Sequence, residues 1–183
     1  MASAGGTMTR CMIICVSLTS LLLLAADATI PNDFCATAVD KKLCEETVKG
    51  TTDWNHAIIK ALQAAMSQLD KVDDGQVKAT VHKSKSASMA STIDKICTEA
   101  YTNTHDRLYE SLRLVRNGEK TGSLNFKLSA ALTSLEDCTN AFSDFNLDMS
   151  AVEALNSNVE NAIRVCLAVE KYNSGRHHEY KHQ

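Results

Sequence analysis

The sequence predicts an all-α protein, and three observations carry that prediction. Proline occurs once, at Pro31, and glycine seven times in 183 residues. Little therefore punctuates strands and hairpins. The strong helix formers Ala, Leu, Lys and Glu are plentiful. Apolar residues recur at three- and four-residue steps in four long segments, the spacing that stacks side chains on one face of a helix. Four amphipathic segments with short connections pack best as an antiparallel four-helix bundle.

The chain opens with a polar stretch carrying one positive charge, Arg10, followed by the apolar run Cys11–Leu24 and the small residues Ala26-Asp27-Ala28. This is the three-part layout of a secretory signal peptide over residues 1–28. The run falls short of the about 20 apolar residues that span a bilayer, so cleavage after Ala28 is expected, with no membrane association afterwards. About 155 residues remain, a single-domain length able to bury a core. Loss of Arg10 and Asp27 together leaves the net charge at −3. A weakly acidic chain without a basic run has no electrostatic reason to bind nucleic acid.

Between Thr29 and Gly50, Cys35 and Cys44 sit on short helical pieces. Phe34, Val39 and Leu43 are placed to cap one end of a bundle. Thr52 or Asp53 supplies a helix start. Trp54, Ile58, Leu62, Ala65 and Leu69 follow at helical spacing, and Val77, Val81 and Ser84 resume it beyond Asp73-Asp74-Gly75. The spacing predicts one long helix over 53–86. Small residues at 84–91 make a turn or a loose helical end. The next helix spans 92–117, with Ile93, Cys97, Tyr101, Thr104, Leu108, Leu112 and Val115 inward. Glu99, Asn103, Asp106, Glu110 and Arg113 lie outward. Asn117-Gly118 stops it, with glycine free to turn left-handed.

The helix over 122–143 organises the rest. Leu128, Leu132, Leu135 and Phe142 form its apolar side, and Thr133, Asp137 and Asn140 fall on nearly the opposite side. Cys138 lies at the edge of the apolar side, where a bond to a neighbouring helix can form. After a turn, Ser150 and Glu153 have the spacing of a capping box. Val152, Leu155, Val159, Ala162, Cys166 and Val169 then make a packing seam. Asn173-Ser174-Gly175 is expected to end this helix near Tyr172, leaving 173–183 as a polar flexible tail.

Export leaves five cysteines: Cys35, Cys44, Cys97, Cys138 and Cys166. Outside the cell they tend to pair. Cys166, among Ile163, Leu167 and Val169, reads as a buried free thiol. Of the pairings open to the other four, Cys35–Cys44 and Cys97–Cys138 are favoured. Loop entropy gives them about 2.7 and 3.9 kcal/mol. Metal binding lacks a Cys-x-x-Cys spacing, so no metal or cofactor is expected.

No Gly-rich phosphate loop, His-Glu-x-x-His or Gly-x-Ser-x-Gly is present. His177-His178 and His182 sit in the tail, where nothing rigid orients the rings. Asp73-Asp74 reads as a helix interruption rather than an acid–base pair. An aliphatic bundle offers no obvious water-excluding pocket, which argues against an enzyme. By periodicity alone, Thr133, Asp137 and Asn140 are the wet side every amphipathic helix needs. Short-chained and fixed by a disulfide, they also suit docking with little entropy cost.

These residues resemble the plant invertase and pectin methylesterase inhibitor family. The likeness rests on Cys35 and Cys44, on Cys97 followed by Thr-Glu-Ala-Tyr101, on Ser129-Ala-Ala-Leu-Thr133 with Cys138 and Phe142 beyond, and on Leu155-Asn-Ser-Asn158. It spans about 29–172. The resemblance implies an up-and-down four-helix bundle preceded by an N-terminal helical hairpin, with the two disulfides favoured above. It implies a protein secreted to the apoplast or cell wall that binds a pectin methylesterase or an acid invertase, one to one, and blocks its active-site cleft. It raises Thr133, Asp137, Asn140, Asp106 and Glu110 as partner contacts. Invertase inhibitors of this kind often carry Pro-Lys-Phe after the fourth cysteine, where this chain has Ser143-Asp-Phe-Asn-Leu-Asp148. That places the esterase ahead. The competing class is a secreted helical ligand or carrier, and a carrier would need a roomy, aromatic core.

Overall fold

The computed structural model describes residues 33–72, 74–81, 86–118 and 122–179. The proposed signal segment, Asp73 and the histidine at 182 lie outside them, as do the side chains of His177 and His178. The described elements are a 3₁₀ turn (Asp33–Cys35) and six helices. These are α1 (Lys41–Val48), α2 (Trp54–Leu69), α3 (Asp74–Val81), α4 (Ala87–Arg116), α5 (Ser123–Asp144) and α6 (Ser150–Glu179). There is no strand among the described residues.

The four long helices form the expected antiparallel up-and-down bundle, with α4 against α2 and α5, and α6 against α2 and α5. The 3₁₀ turn and α1 make the N-terminal hairpin, closed by Cys35–Cys44. Phe34 is buried there and meets Tyr172 of α6 edge to face, with ring centroids 4.8 Å apart. Leu43 packs at the edge of the core. Val39, expected to help cap the bundle, is instead 90% exposed. The turn between Cys35 and Asp40 carries it outward.

The inward residues read from periodicity are the buried ones: Ile58, Leu62 and Ala65 of α2, Leu108 and Val115 of α4, Leu128 and Leu135 of α5, and Val159 and Val169 of α6. Trp54 adds a polar tie, its Nε1–H donating to the Val169 carbonyl at 2.8 Å. Asp53 is the N-cap of α2 and accepts from the His56 N–H at 3.0 Å. Its carboxyl is held below the usual range, chiefly by a second hydrogen bond from the His56 ring.

Three boundaries differ from the sequence reading. The helix expected over 53–86 is broken after Leu69. Lys71 and Val72 donate to the Gln68 and Leu69 carbonyls, tightening the last turn into 3₁₀ geometry. A separate helix restarts at Asp74. Helix α4 starts earlier than expected, at Ala87, with the Ser86 hydroxyl accepting from the Met89 N–H. Helix α6 runs on through 173–175 to Glu179. At its other end Ser150 is already helical. Glu153 N–H bonds the Met149 carbonyl, and the side chain on Ser150 N–H is Asp148. The predicted Ser150–Glu153 box is therefore not how α6 begins.

Two stops follow left-handed residues. Gly118, at φ 79°, ends α4 and donates to the Val115 carbonyl. Asn146, at φ 53°, ends α5, with Asn146 N–H on Ser143 O and Leu147 N–H on Phe142 O. That is the paired bond pattern of a Schellman motif.

The seam between α4 and α5 is built from small side chains: Ala100 and Thr104 on one side, Ala131 and Ala141 on the other, all buried. Cys97 and Cys138 join them, with Cα atoms 4.3 Å apart. The Thr104 hydroxyl sits within 2.8 Å of the Ala100 carbonyl and 3.3 Å of the Ala131 carbonyl across the seam. Beside the disulfide, Tyr101 OH donates to Asn156 Oδ1 at 3.1 Å. Asn156 Nδ2 donates to Thr139 Oγ1 at 3.2 Å. One buried amide thus ties α4, α5 and α6.

Candidate functional site

The outer side of the α4–α5 pair is where the sequence placed its candidate residues. On α5, Thr133, Asp137 and Asn140 are exposed, while Leu128, Leu135 and Phe142 behind them are buried. On α4, Glu99, Asn103 and Asp106 are exposed and Glu110 is half-buried. Because the helices run antiparallel, the Asp137–Asp144 end of α5 lies beside the Ile96–Asn103 end of α4. An open groove of about 390 Å³ separates them, lined by Ile96, Glu99, Asn103, Asp137, Asn140 and Asp144.

Asp137 and Asn140 therefore share the groove. Thr133 lies one turn further along α5, its hydroxyl donating back to the Ser129 carbonyl. Asp106 and Glu110 lie further along α4 and outside the groove. Asp106 has His105 Nδ1 at 3.6 Å. Glu110 binds Lys127 of α5 and has Arg107 at 3.8 Å. The Lys127 hydrogen bond, then the Lys127 charge, hold the Glu110 carboxyl below the usual range. A carboxyl lowered on folding stabilises the fold above its unfolded pKa, and that contribution is lost as pH falls through the folded value. Solvent exposure keeps the effect small.

The site reading from sequence did not include Glu99, Asn103 and Asp144, which line the groove with Asp137 and Asn140. The signal was available for Asp144, seven residues beyond Asp137 on the same helix face. For Glu99 and Asn103 the missing information was the register of α4 against α5.

The groove is a surface for contact. It lies open to solvent and contains no nucleophile set beside a base. Among the described residues, no group of three His, Cys, Asp or Glu side chains could hold a metal ion. Cys166 is unpaired and buried, and desolvation pushes its thiol far above the ordinary range.

The family model described as plant invertase/pectin methylesterase inhibitor matches residues 29–169. The chain belongs to this inhibitor family. Family members are inhibitors and not enzymes, and the same holds for this chain. Its role is that of an inhibitor of pectin methylesterase or invertase. Two solved structures share the fold. A mutant form A of a pectin methylesterase inhibitor from Arabidopsis is 15% identical, with a TM-score of 0.58 over 75% of this chain and 92% of that one. A pectin methylesterase inhibitor from Arabidopsis thaliana is 15% identical, with a TM-score of 0.55 over 79% and 96%. No curated protein sequence matches the chain. Members of the inhibitor family are extracellular. Among the described residues, no helix is long and apolar enough to cross a membrane.

Proposed function

We propose that this inhibitor acts on a pectin methylesterase, one to one, after secretion and removal of residues 1–28. It lays the outer face of α4 and α5 across the enzyme's active-site cleft and excludes the polysaccharide. The block is steric, and the inhibitor makes and breaks no bond. Thr133, Asp137, Asn140, Asp106 and Glu110 are the contacts, joined by Glu99, Asn103 and Asp144.

One observation carries this reading: the polar groove runs between two helices joined by the Cys97–Cys138 bridge, and its lining includes Ile96 and Asp137, the chain neighbours of those cysteines. Its lining side chains stand on two helices that are bonded together and are both tied to Asn156 of α6, which accepts from Tyr101 of α4 and donates to Thr139 of α5. Short polar groups on a fixed backbone lose little entropy on docking. An acidic face also makes affinity fall as carboxylates lose charge in acid.

A specific feature favours the esterase over the invertase. The turn after α5 directs its apolar side chains inward. Phe145, Leu147 and Met149 are tucked against the core around Phe142. The Schellman stop at Asn146 holds them there.

The test is parallel titration of the oxidised protein, residues 29–183, against a plant pectin methylesterase and a plant acid invertase. Stoichiometric loss of esterase activity alone is expected. Asp137→Lys, which reverses a charge in the groove, is expected to weaken inhibition by about 30-fold or more. Full inhibition by this variant, with an unchanged circular dichroism spectrum, would remove the groove from the interface. Loss of invertase activity alone would reassign the target.

A further inference from the structure

Phe126 is a large aromatic on the first turn of α5, and it is 73% exposed. A lone apolar side chain on a surface is ordinary, but three features set this one apart. The first is its line. Residues 126, 130, 133, 137, 140 and 144 follow steps of four and three, so Phe126 stands on the same outward ridge as Thr133, Asp137, Asn140 and Asp144. At 1.5 Å per residue the ridge is about 27 Å long, with Phe126 at one end and the groove at the other.

The second is how its stretch of backbone is held. Its two chain neighbours are tied in opposite directions. Asn125 Nδ2 donates to Glu170 Oε2 of α6 at 3.0 Å. Lys127 Nζ binds Glu110 Oε2 of α4. The first turn of α5 is pinned to both neighbouring helices through the two residues that flank Phe126. The third is its border. Lys127, next to Phe126 in the chain, joins Glu110 and Arg107 in a charged cluster between α5 and α4. An exposed aromatic on a fixed stretch of backbone beside charged groups is an arrangement that concentrates binding energy at protein interfaces.

We propose that Phe126 is the apolar anchor of the docking face, entering an aromatic-lined sugar subsite of the target enzyme's polysaccharide cleft. The inference rests on the docking reading above and identifies the partner surface at the far end of the ridge. A cleft that binds a polysaccharide offers apolar and aromatic walls to sugar ring faces, and a flat phenyl ring fills the same space. The Asp137–Asp144 end then contributes polar contact and orientation, and the Phe126 end contributes residence time.

The experiment compares wild type, Phe126→Ala and Phe126→Tyr as inhibitors of pectin methylesterase, with binding kinetics and a series of methylesterified pectin concentrations. Phe126→Ala is expected to bind about 30-fold more weakly or worse, mostly through faster dissociation. Phe126→Tyr keeps the ring and is expected to stay within about threefold of wild type. Inhibition is expected to be relieved in proportion to added pectin. An alanine variant as potent as wild type overturns the anchor and leaves the docking reading intact. Inhibition indifferent to pectin overturns the sugar subsite. A wild-type dimer dispersed by Phe126→Ala, with inhibition unchanged, assigns the ring to a second copy and overturns the proposal. No inhibition by wild type overturns the docking reading itself, and the anchor with it.

Discussion

The two ends of the bundle are held by different means. At the end that carries the hairpin, α1, α2 and parts of α4, α5 and α6 share a broad aliphatic core with Ile58, Leu62, Leu108, Leu128 and Ile163 at full burial. At the other end the described buried cluster is smaller, centred on Phe142, Ile93 and the short α3. Each end has one disulfide, but the bridges are not equivalent. Cys35–Cys44 closes a separation of 9 residues within the hairpin, and Cys97–Cys138 spans 41 residues between two long helices. The Tyr101–Asn156–Thr139 chain also belongs to the second end. Apolar burial is thinner at the second end, the disulfide there joins two long helices rather than a hairpin, and the candidate groove stands on that end.

Removing the bridges is the strongest way to test the contrast. Cys97→Ser with Cys138→Ser is expected to lower stability by about 3.9 kcal/mol, against about 2.7 kcal/mol for Cys35→Ser with Cys44→Ser. Urea unfolding monitored by circular dichroism reads both. Equal losses would mean that the two staples do the same job. Asn156→Ala should cost about 1–3 kcal/mol, because it removes the one side chain that hydrogen-bonds both Tyr101 of α4 and Thr139 of α5. The same unfolding measurement tests it, and a loss below about 0.5 kcal/mol, typical of a surface substitution, would show the network to be incidental. The smallest expected effect concerns Cys166, which lies in the larger core and has a thiol that burial keeps protonated. Native protein should resist iodoacetamide at neutral pH, while urea-unfolded protein labels fully. Rapid native labelling would show that this core opens.

The faces of the helices were legible in the sequence because burial imposes a period that side chains must obey. Ile58, Leu108, Leu135 and Val159 were placed correctly from spacing alone. Breaks were less legible. Val77 and Val81 keep the apolar period of α2 and are buried, yet the backbone stops at Leu69 and restarts at Asp74. Periodicity reports which way a residue points and is insensitive to a turn that preserves the direction. The opposite error occurred at Gly175. A single glycine costs about 1 kcal/mol in a helix, too little to end one already as long as α6. Small residues misled again at Ala87–Ser91, where alanine continues a helix that Ser86 has started. The polar stripe on α5 was visible, but its partners on α4 were not. Which residues face each other across two helices depends on register, and register was set by Cys97–Cys138 and by Thr104 reaching Ala131.

The small side chains of that seam have a consequence for how such a surface can vary. Ala100, Thr104, Ala131 and Ala141 act as shims that set the gap between two parallel rails. A thicker shim, such as a valine in place of Ala100 or Ala131, spreads or slides the rails and changes the spacing of every group mounted on them. The shape offered to a partner is therefore adjustable from beneath, with all the exposed residues left as they are.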